Sequence, residues 1–291
     1  MDINKEKLFA TIDFYNSKNL LTRIFKKFSY FHKQLYICYL IKTNNIRKFK
    51  TQILTGDKME IVLPDNISLS LYLIGFFEGE ETKAFLTLMK PGETFIDIGA
   101  HIGYYSVLAK AIGGIESKVI SIEPTPSTFN ILKENMQNRH NTTLMNIGLY
   151  ATEGKMEFND FGIQQMCLNS FKEARLDHKI SGEKINIKVE TLDSIVHELK
   201  IEPSIIKIDA ESAELDIIKG GLKTLSSYNV RIFIEVGDFE HTGSNNSIKI
   251  IEALEALQYR VYELMDNKFI PHQKSKDKYP SMSLYFSKEP I

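Results

Sequence analysis

The segment Phe95-Ile96-Asp97-Ile98-Gly99-Ala100-His101-Ile102-Gly103-Tyr104-Tyr105-Ser106 constrains this chain more than any other. An apolar strand runs into a turn with glycines at 99 and 103, and a helix follows. Small turn residues let backbone approach a ligand closely, at the crevice outside the carboxyl ends of parallel strands. The alternation then continues. Strands are predicted at Thr94 to Ile98, Lys118 to Ile122, Thr143 to Leu149, Ile205 to Ile208 and Val230 to Val236. Helices are predicted near Tyr104 to Ala111, Ser127 to Asn138, Ala213 to Leu225 and Asn246 to Leu257. Such a sequence calls for an α/β fold, a mostly parallel sheet covered on both faces. Two last strand-like runs, Arg260 to Leu264 and Met282 to Phe286, predict a terminal antiparallel hairpin.

Ahead of this unit the chain divides at about residue 54. Residues 1–54 read as a helical extension, with Ile24, Phe25, Phe28, Phe31, Leu35 and Tyr39 at helical spacings, and residues 55–291 as the main domain. Gly56-Asp57 signals a hairpin between Gln52 to Thr55 and Met59 to Leu63, and a helix is predicted from Gly79 to Met89. The extension is basic. From Phe14 to Gly56 there is no Asp or Glu, while Lys18, Arg23, Lys26, Lys27, Lys33, Lys42, Arg47, Lys48 and Lys50 are present. The bland reading is a solvated helix face; the functional one is peripheral contact of residues 18–50 with an anionic surface such as the inner membrane face. The whole chain is balanced, 36 Lys+Arg against 37 Asp+Glu, which argues against a protein-wide grip on nucleic acid. Cys38 and Cys167 belong to no metal-binding spacing and read as buried thiols of a reducing compartment. Charges scattered through Met1 to Asp13 exclude a secretory h-region, and Leu35 to Ile41 falls far short of the ~20 residues of a spanning helix. A cytoplasmic enzyme is the expectation.

The turn is Gly-x-x-x-Gly, and His101 stands where a dinucleotide-binding turn carries its second glycine, which weakens a dinucleotide reading. Asp97, at the strand end, is placed to accept from an ammonium group, and Glu123, closing the second strand, to accept from ribose hydroxyls. Acid, glycine turn, helix, strand and acid together suit a ligand with an amino-acid end and an adenosine end, which is S-adenosylmethionine. The candidate cofactor residues are Asp97, Gly99, Ala100, Gly103, Tyr104, Glu123 and Pro124. Their structural alternative is a tight connection and a helix-entry acid.

Phe95 to Ser106, Ile122-Glu123-Pro124-Thr125-Pro126, Val189-Glu190-Thr191-Leu192-Asp193 and Ile206-Lys207-Ile208-Asp209-Ala210-Glu211-Ser212-Ala213-Glu214 come in one order. Together they resemble the FkbM family of S-adenosylmethionine-dependent methyltransferases, over roughly Gly75 to Val236. The resemblance implies a class I (Rossmann-like) seven-stranded methyltransferase sheet and methylation of a hydroxyl on a sugar or natural-product scaffold. The chain departs from the family pattern at His101, usually Asn, and at Ser212, usually Gly.

Methyl transfer to a hydroxyl needs alignment in a water-poor cleft and a base for the acceptor's proton. The fourth strand ends in Asp209-Ala210-Glu211, and Asp209 and Glu211 are candidates for base or acceptor binding. The fifth ends in Glu235-Val236-Gly237-Asp238, followed by His241, which add Glu235 and His241 as catalytic candidates. Asp209 with Glu235 or Asp238, acids at neighbouring strand ends, are the groups a Mg²⁺ site uses, but their spacing does not decide it; paired acids serve as often as hydrogen-bond anchors, and no metal is expected. Asp193 is explained as a cap or first-turn helix acid, and Glu214 either complements the dipole of the next helix or serves the site. Gln164, Gln165, Asn169 and Ser170, in the long insertion 154–190, are either acceptor-pocket residues or an ordinary surface excursion. Two other functions compete: an RNA methyltransferase, and a non-catalytic cofactor-binding module tethered to an anionic surface.

Overall fold

The computed structural model describes residues 4–17, 19, 30–160, 162, 183–210, 212–238, 246–275 and 278–291. The chain starts with α1 (Lys5–Asn16) and α2 (Phe31–Lys42), then β1 (Arg47–Gln52) and β2 (Lys58–Leu63), α3 (Asn66–Ile74) and α4 (Gly79–Leu88). The zone expected to be helical to residue 54 therefore ends in a strand. Helix α2 stops at Thr43-Asn44-Asn45, and Phe49 faces inward from β1 while its neighbours stay exposed, the period-two pattern of a strand edge. β1 pairs antiparallel with β2 around Gly56, so a hairpin forms there, but its first strand is Arg47–Gln52 and ends where the strand expected over Gln52 to Thr55 was to begin. Helix α3 had no counterpart in the sequence reading; Asp65 caps it by accepting from the Ser68 amide.

The main unit follows: β3 (Thr94–Ile98), α5 (Tyr104–Gly113), β4 (Lys118–Ile122), α6 (Pro126–Met136), β5 (Thr142–Met145), β6 (Gly148–Leu149), β7 (Gly154–Asp160), β8 (Glu183–Glu190), α7 (Leu192–Leu199), β9 (Ile205–Ile208), α8 (Glu214–Lys219), α9 (Leu222–Ser227), β10 (Arg231–Val236), α10 (Asn246–Ala256), β11 (Arg260–Met265), β12 (Lys268–Pro271) and β13 (Met282–Ser287). Eight strands form one sheet in the order β12-β11-β13-β10-β9-β3-β4-β5. Neighbours from β10 to β5 run parallel, and β13 inserts antiparallel between β10 and β11. The sheet is class I methyltransferase-like with one strand more than expected, because the polar loop of the terminal hairpin contributes β12 at the edge. The single strand predicted over Thr143 to Leu149 is two, in different sheets, since β6 leaves to pair with β8. The helix predicted over Ala213 to Leu225 breaks at Gly220-Gly221, where a side chain on Gly220 would meet the Tyr150 carbonyl oxygen at 2.2 Å.

Alternation along the strands sends two apolar sets to opposite faces. Phe95, Val119, Ile205 and Phe233 pack with helices α4, α5 and α6, whereas Ile96, Ile98, Ile120, Ile206 and Ile208 pack with α7, α8 and α10. Asp97 and Lys207, register partners on β3 and β9, lie two residues on from Phe95 and Ile205 and so share the first face. Cys38 is exposed on α2, contrary to the buried thiol expected; the buried side of that helix is Ile37 and Leu40. Cys167 lies outside the described residues. Among the described residues no helix is long and apolar enough to cross a membrane.

Candidate active site

A cavity of ≈ 260 Å³ opens at the carboxyl ends of β3, β4, β9 and β10. One end is apolar, with Ile122, Pro124, Ile147, Leu149 and Phe158, and holds Glu123. In the strand order β10-β9-β3-β4, Asp209 and Glu235 lie across Gly99 from Glu123, and Glu78 neighbours them at this other end. Gly99 and His101, from the turn after β3, lie on the wall of the same space.

Gly99 is required by its surroundings. Its φ is +76°, and a Cβ there would lie 1.8 Å from the carbonyl oxygen of Asp209. The two strand ends thus touch through the glycine, which brings the turn and Asp209 to one place. Glu123 is buried, its Oε2 accepting from the His101 amide at 3.0 Å and its Oε1 from the Thr125 amide at 2.9 Å. Burial pushes its carboxyl up to about 7 against the opposing effect of those amides. Pro124 stands beside it on the wall. Ala100, Gly103 and Tyr104 do not line the cavity. Ala100 donates its amide to the Ile122 carbonyl, Gly103 packs against Leu132, and the Tyr104 hydroxyl lies 3.1 Å from Thr82 Oγ1. Their part in the turn is to shape it from behind.

Asp97 also stands behind the wall, fully buried. Its Oδ2 accepts from Ser106 Oγ at 2.6 Å, and Ser106 meets Ser121 at 2.7 Å. Its Oδ1 has no hydrogen-bond partner among the described residues. Burial raises its carboxyl, with the Lys207 ammonium opposing. Lys207 is the residue the sequence reading left without a role. Its Nζ donates to Asp209 Oδ2 at 2.8 Å and lies over the rings of Tyr105 and Phe233, at 4.9 and 5.8 Å. Burial alone would lower its pKa, but Asp209, Asp97 and Glu78 outweigh it and hold the ammonium charged. A signal was available: a lysine inside the run Ile205-Ile206-Lys207-Ile208 is a charge in a doubly covered strand, and buried charges are paired.

Glu78 was also missed, and nothing in Phe76-Phe77-Glu78-Gly79 distinguishes it from a helix-entry acid. It precedes α4 with φ +43°, a left-handed conformation uncommon for a side chain of this kind. Its Oε2 accepts from the Tyr105 hydroxyl at 3.2 Å. Burial pushes its carboxyl up to about 8, with Lys207 opposing and Asp209, Glu81 and Glu235 adding to the rise. Glu235 accepts from the Ser281 hydroxyl. Asp238 points elsewhere: its two oxygens accept from the Ser247 and Tyr279 amides, each at 3.0 Å, so it anchors backbone. Glu214 holds the loop after β9 by accepting from the Ala210 and Ser212 amides. Ser212 itself has φ +80°, the conformation for which the family's glycine is suited. Glu211, His241, Gln164, Gln165, Asn169 and Ser170 lie outside the described residues, among which no group of three or more His, Cys, Asp or Glu is arranged as a metal site.

His101 departs from the family pattern and faces the cavity. Burial lowers its pKa, leaving a neutral imidazole whose Nε2 is 4.0 Å from Asp65 Oδ1. Neither ring nitrogen nor that oxygen has a hydrogen-bond partner among the described residues. S-adenosylmethionine matches this donor and acceptor set. Glu123 and the apolar bed would hold the adenosine end, and the turn from Gly99 to His101 the amino-acid end, where His101 offers buried polar atoms. When bound, the cofactor supplies an electrophilic methyl carbon on a sulfonium.

Residues 97–261 match the methyltransferase FkbM domain. A 171-residue stretch is 27% identical to the hexuronic acid methyltransferase AglP of Haloferax volcanii, covering 57% of this chain and 66% of that protein, just under two thirds of its length. Among solved structures, a methyltransferase FkbM from Methylobacillus flagellatus aligns with TM-score 0.42 and 16% identity, over 75% of this chain and 52% of that one. A SAM-dependent O-methyltransferase from Thermotoga maritima aligns with TM-score 0.40 and 12% identity, over 84% of this chain and 78% of that one. The family match spans more than half of the chain, and with the nucleoside-suited cavity at its strand ends the protein belongs to the FkbM family of S-adenosylmethionine-dependent methyltransferases.

Proposed function

We propose that the enzyme transfers the methyl group to a hydroxyl of a sugar, glycan or glycosylated natural product. The observation that carries this reading is the division of one cavity into two ends. The end at Glu123 suits a nucleoside, and the end at Glu78, Asp209 and Glu235 gathers carboxyl groups, which accept hydrogen bonds from a polyhydroxylated molecule. The likeness to a hexuronic acid methyltransferase supports the same class.

Within this reading Asp209 and Glu235 orient the acceptor's hydroxyls, and Glu211 and His241 stand as acceptor-side candidates on the sequence alone. Asp209 is ion-paired with Lys207 at 2.8 Å. The carboxyl-rich end disfavours a polyanionic backbone such as RNA. Basic residues 18–50 make peripheral contact with an anionic surface, supported by the outward side chains Phe31, Leu35 and Tyr39 on α2. The test is calorimetry with S-adenosylmethionine, followed by transfer to neutral sugars, hexuronic acids and their glycosides with NMR locating the methyl. Binding followed by an O-methyl sugar is the expected result. A methyl on nitrogen or carbon, or transfer to RNA alone, would end the proposal.

A further inference from the structure

We propose that Glu78 is the general base that takes the proton from the acceptor's hydroxyl. The inference rests on the reading that the acceptor is a hydroxyl, and it deepens that reading by separating two roles among the carboxyl groups of one cavity. Asp209 is committed by geometry, because its Oδ2 receives the Lys207 ammonium at 2.8 Å. Glu235 receives the Ser281 hydroxyl. Among the described residues Glu78 receives only a neutral phenol, from Tyr105 at 3.2 Å, and it lines the same acceptor end.

The protein invests structure in placing this side chain. Glu78 holds a left-handed backbone at φ +43°, a conformation that persists only where the surroundings impose it. Those surroundings are visible. Thr82 Oγ1 donates to the Phe77 carbonyl at 2.6 Å and also meets the Tyr104 hydroxyl, so the two tyrosines after the glycine turn grip the loop, one at each residue. From the other side α1 presses on Gly79, where a Cβ would lie 2.8 Å from Asn16 Nδ2 and 2.9 Å from Ile12 Cγ2. Lys83 of α4 is ion-paired with Asp13 of α1, which fixes that packing.

The proton's path is short. The acceptor's O–H bond gives its proton to a Glu78 carboxylate oxygen, and the electron pair left on that oxygen forms the new bond to the methyl carbon. The methyl's former bonding pair remains with the cofactor's sulfur. Charged and titratable groups face Glu78 from every side: Lys207 and Asp209 from β9 and its end, Glu235 from β10, Glu81 from α4, Tyr104 and Tyr105 from α5 and Tyr285 from β13. Burial with three carboxylates against one ammonium places its titration at about 8, where a base and its conjugate acid exchange readily near neutral pH.

The experiment compares the parental enzyme with Glu78→Gln and Glu78→Asp on any hydroxyl acceptor it methylates. The kcat/KM of the parent should rise about tenfold per pH unit and level off near pH 8. Glu78→Gln should lose ~10² to 10⁴-fold in kcat and this pH limb, with S-adenosylmethionine affinity unchanged. Glu78→Asp should retain part of the activity and the limb. Infrared difference titration of the free protein supplies a readout independent of turnover: a carboxyl band titrating near 8 and absent from Glu78→Gln. A band in the ordinary carboxylate range, or a Glu78→Gln enzyme that methylates a hydroxyl at the parental rate, overturns the assignment. Methylation of phenols but no sugar would sink the sugar reading alone and leave Glu78 to be decided on the phenol. A methyl on nitrogen would remove both.

Discussion

The grip proposed for Glu123 on the cofactor's ribose rests on a balance that can be titrated. Its carboxyl is buried and pushed up to about 7, yet both oxygens already accept from backbone amides, so its position is fixed before any ligand arrives. Ribose hydroxyls donate to the charged form and lower its pKa on binding. Affinity should therefore fall as pH drops below about 7 and plateau above it, with a proton released on binding near neutrality. Adenosine, which has no group titrating there, is the suitable probe, and calorimetry in buffers of different ionisation enthalpy reads the proton. Glu123→Ala should cost about 1.5–3 kcal/mol of binding, the scale of a hydrogen bond to a charged group, and should abolish the pH dependence. Equal affinity in the variant would place the ribose elsewhere.

Asp193 shows how an element is finished by a residue that belongs to another. It sits in the first turn of α7, where sequence reasoning explains it as a helix acid, and the Thr191 cap and Ser194 close that helix without it. Its carboxylate instead accepts from the Lys223 and Thr224 amides at 3.1 and 2.7 Å, capping α9. The break at Gly220-Gly221 makes this possible, because it creates a second helix start beside the first. Asp193→Ala should lower stability by about 1 kcal/mol, as loss of a cap does, while methyl transfer persists. Denaturant unfolding together with an activity assay checks both halves. A loss of activity at unchanged stability would mean that Asp193 serves the site.

At the scale of the molecule, the basic extension lies against the catalytic unit and also presents a face outward. Helix α2 buries Ile37 and Leu40 inward while Phe31, Leu35, Tyr39 and Ile41 stay exposed, so it is apolar on two sides. Lys42, Arg47 and Lys50 are exposed nearby, and no acid occurs between residues 14 and 56. Like charge opposes self-association through this face, whereas anionic lipid satisfies both its apolar and its basic parts. The protein should sediment with vesicles containing phosphatidylglycerol, release in high salt and ignore phosphatidylcholine vesicles. Replacing Phe31, Leu35 and Tyr39 together by Ser should weaken sedimentation at unchanged methyl transfer. Equal retention by neutral vesicles would remove the electrostatic part of the proposal.

What the sequence determined by itself is whatever depends on neighbours along the chain. Strands β3, β4 and β9 fall at the residues that periodicity marks, because a short apolar run bounded by a turn has few alternatives. The glycine turn and Glu123 were legible for the same reason, being tied to strand ends that locate themselves. Tertiary structure decided the rest. Glu78 reaches the cavity because α1 and two tyrosines hold its loop there, Lys207 matters because register puts it beside Asp97, and Asp238 leaves the site because two distant amides claim it. Each of these depends on residues far apart in the chain meeting across a packed fold, and local propensity carries no record of such encounters.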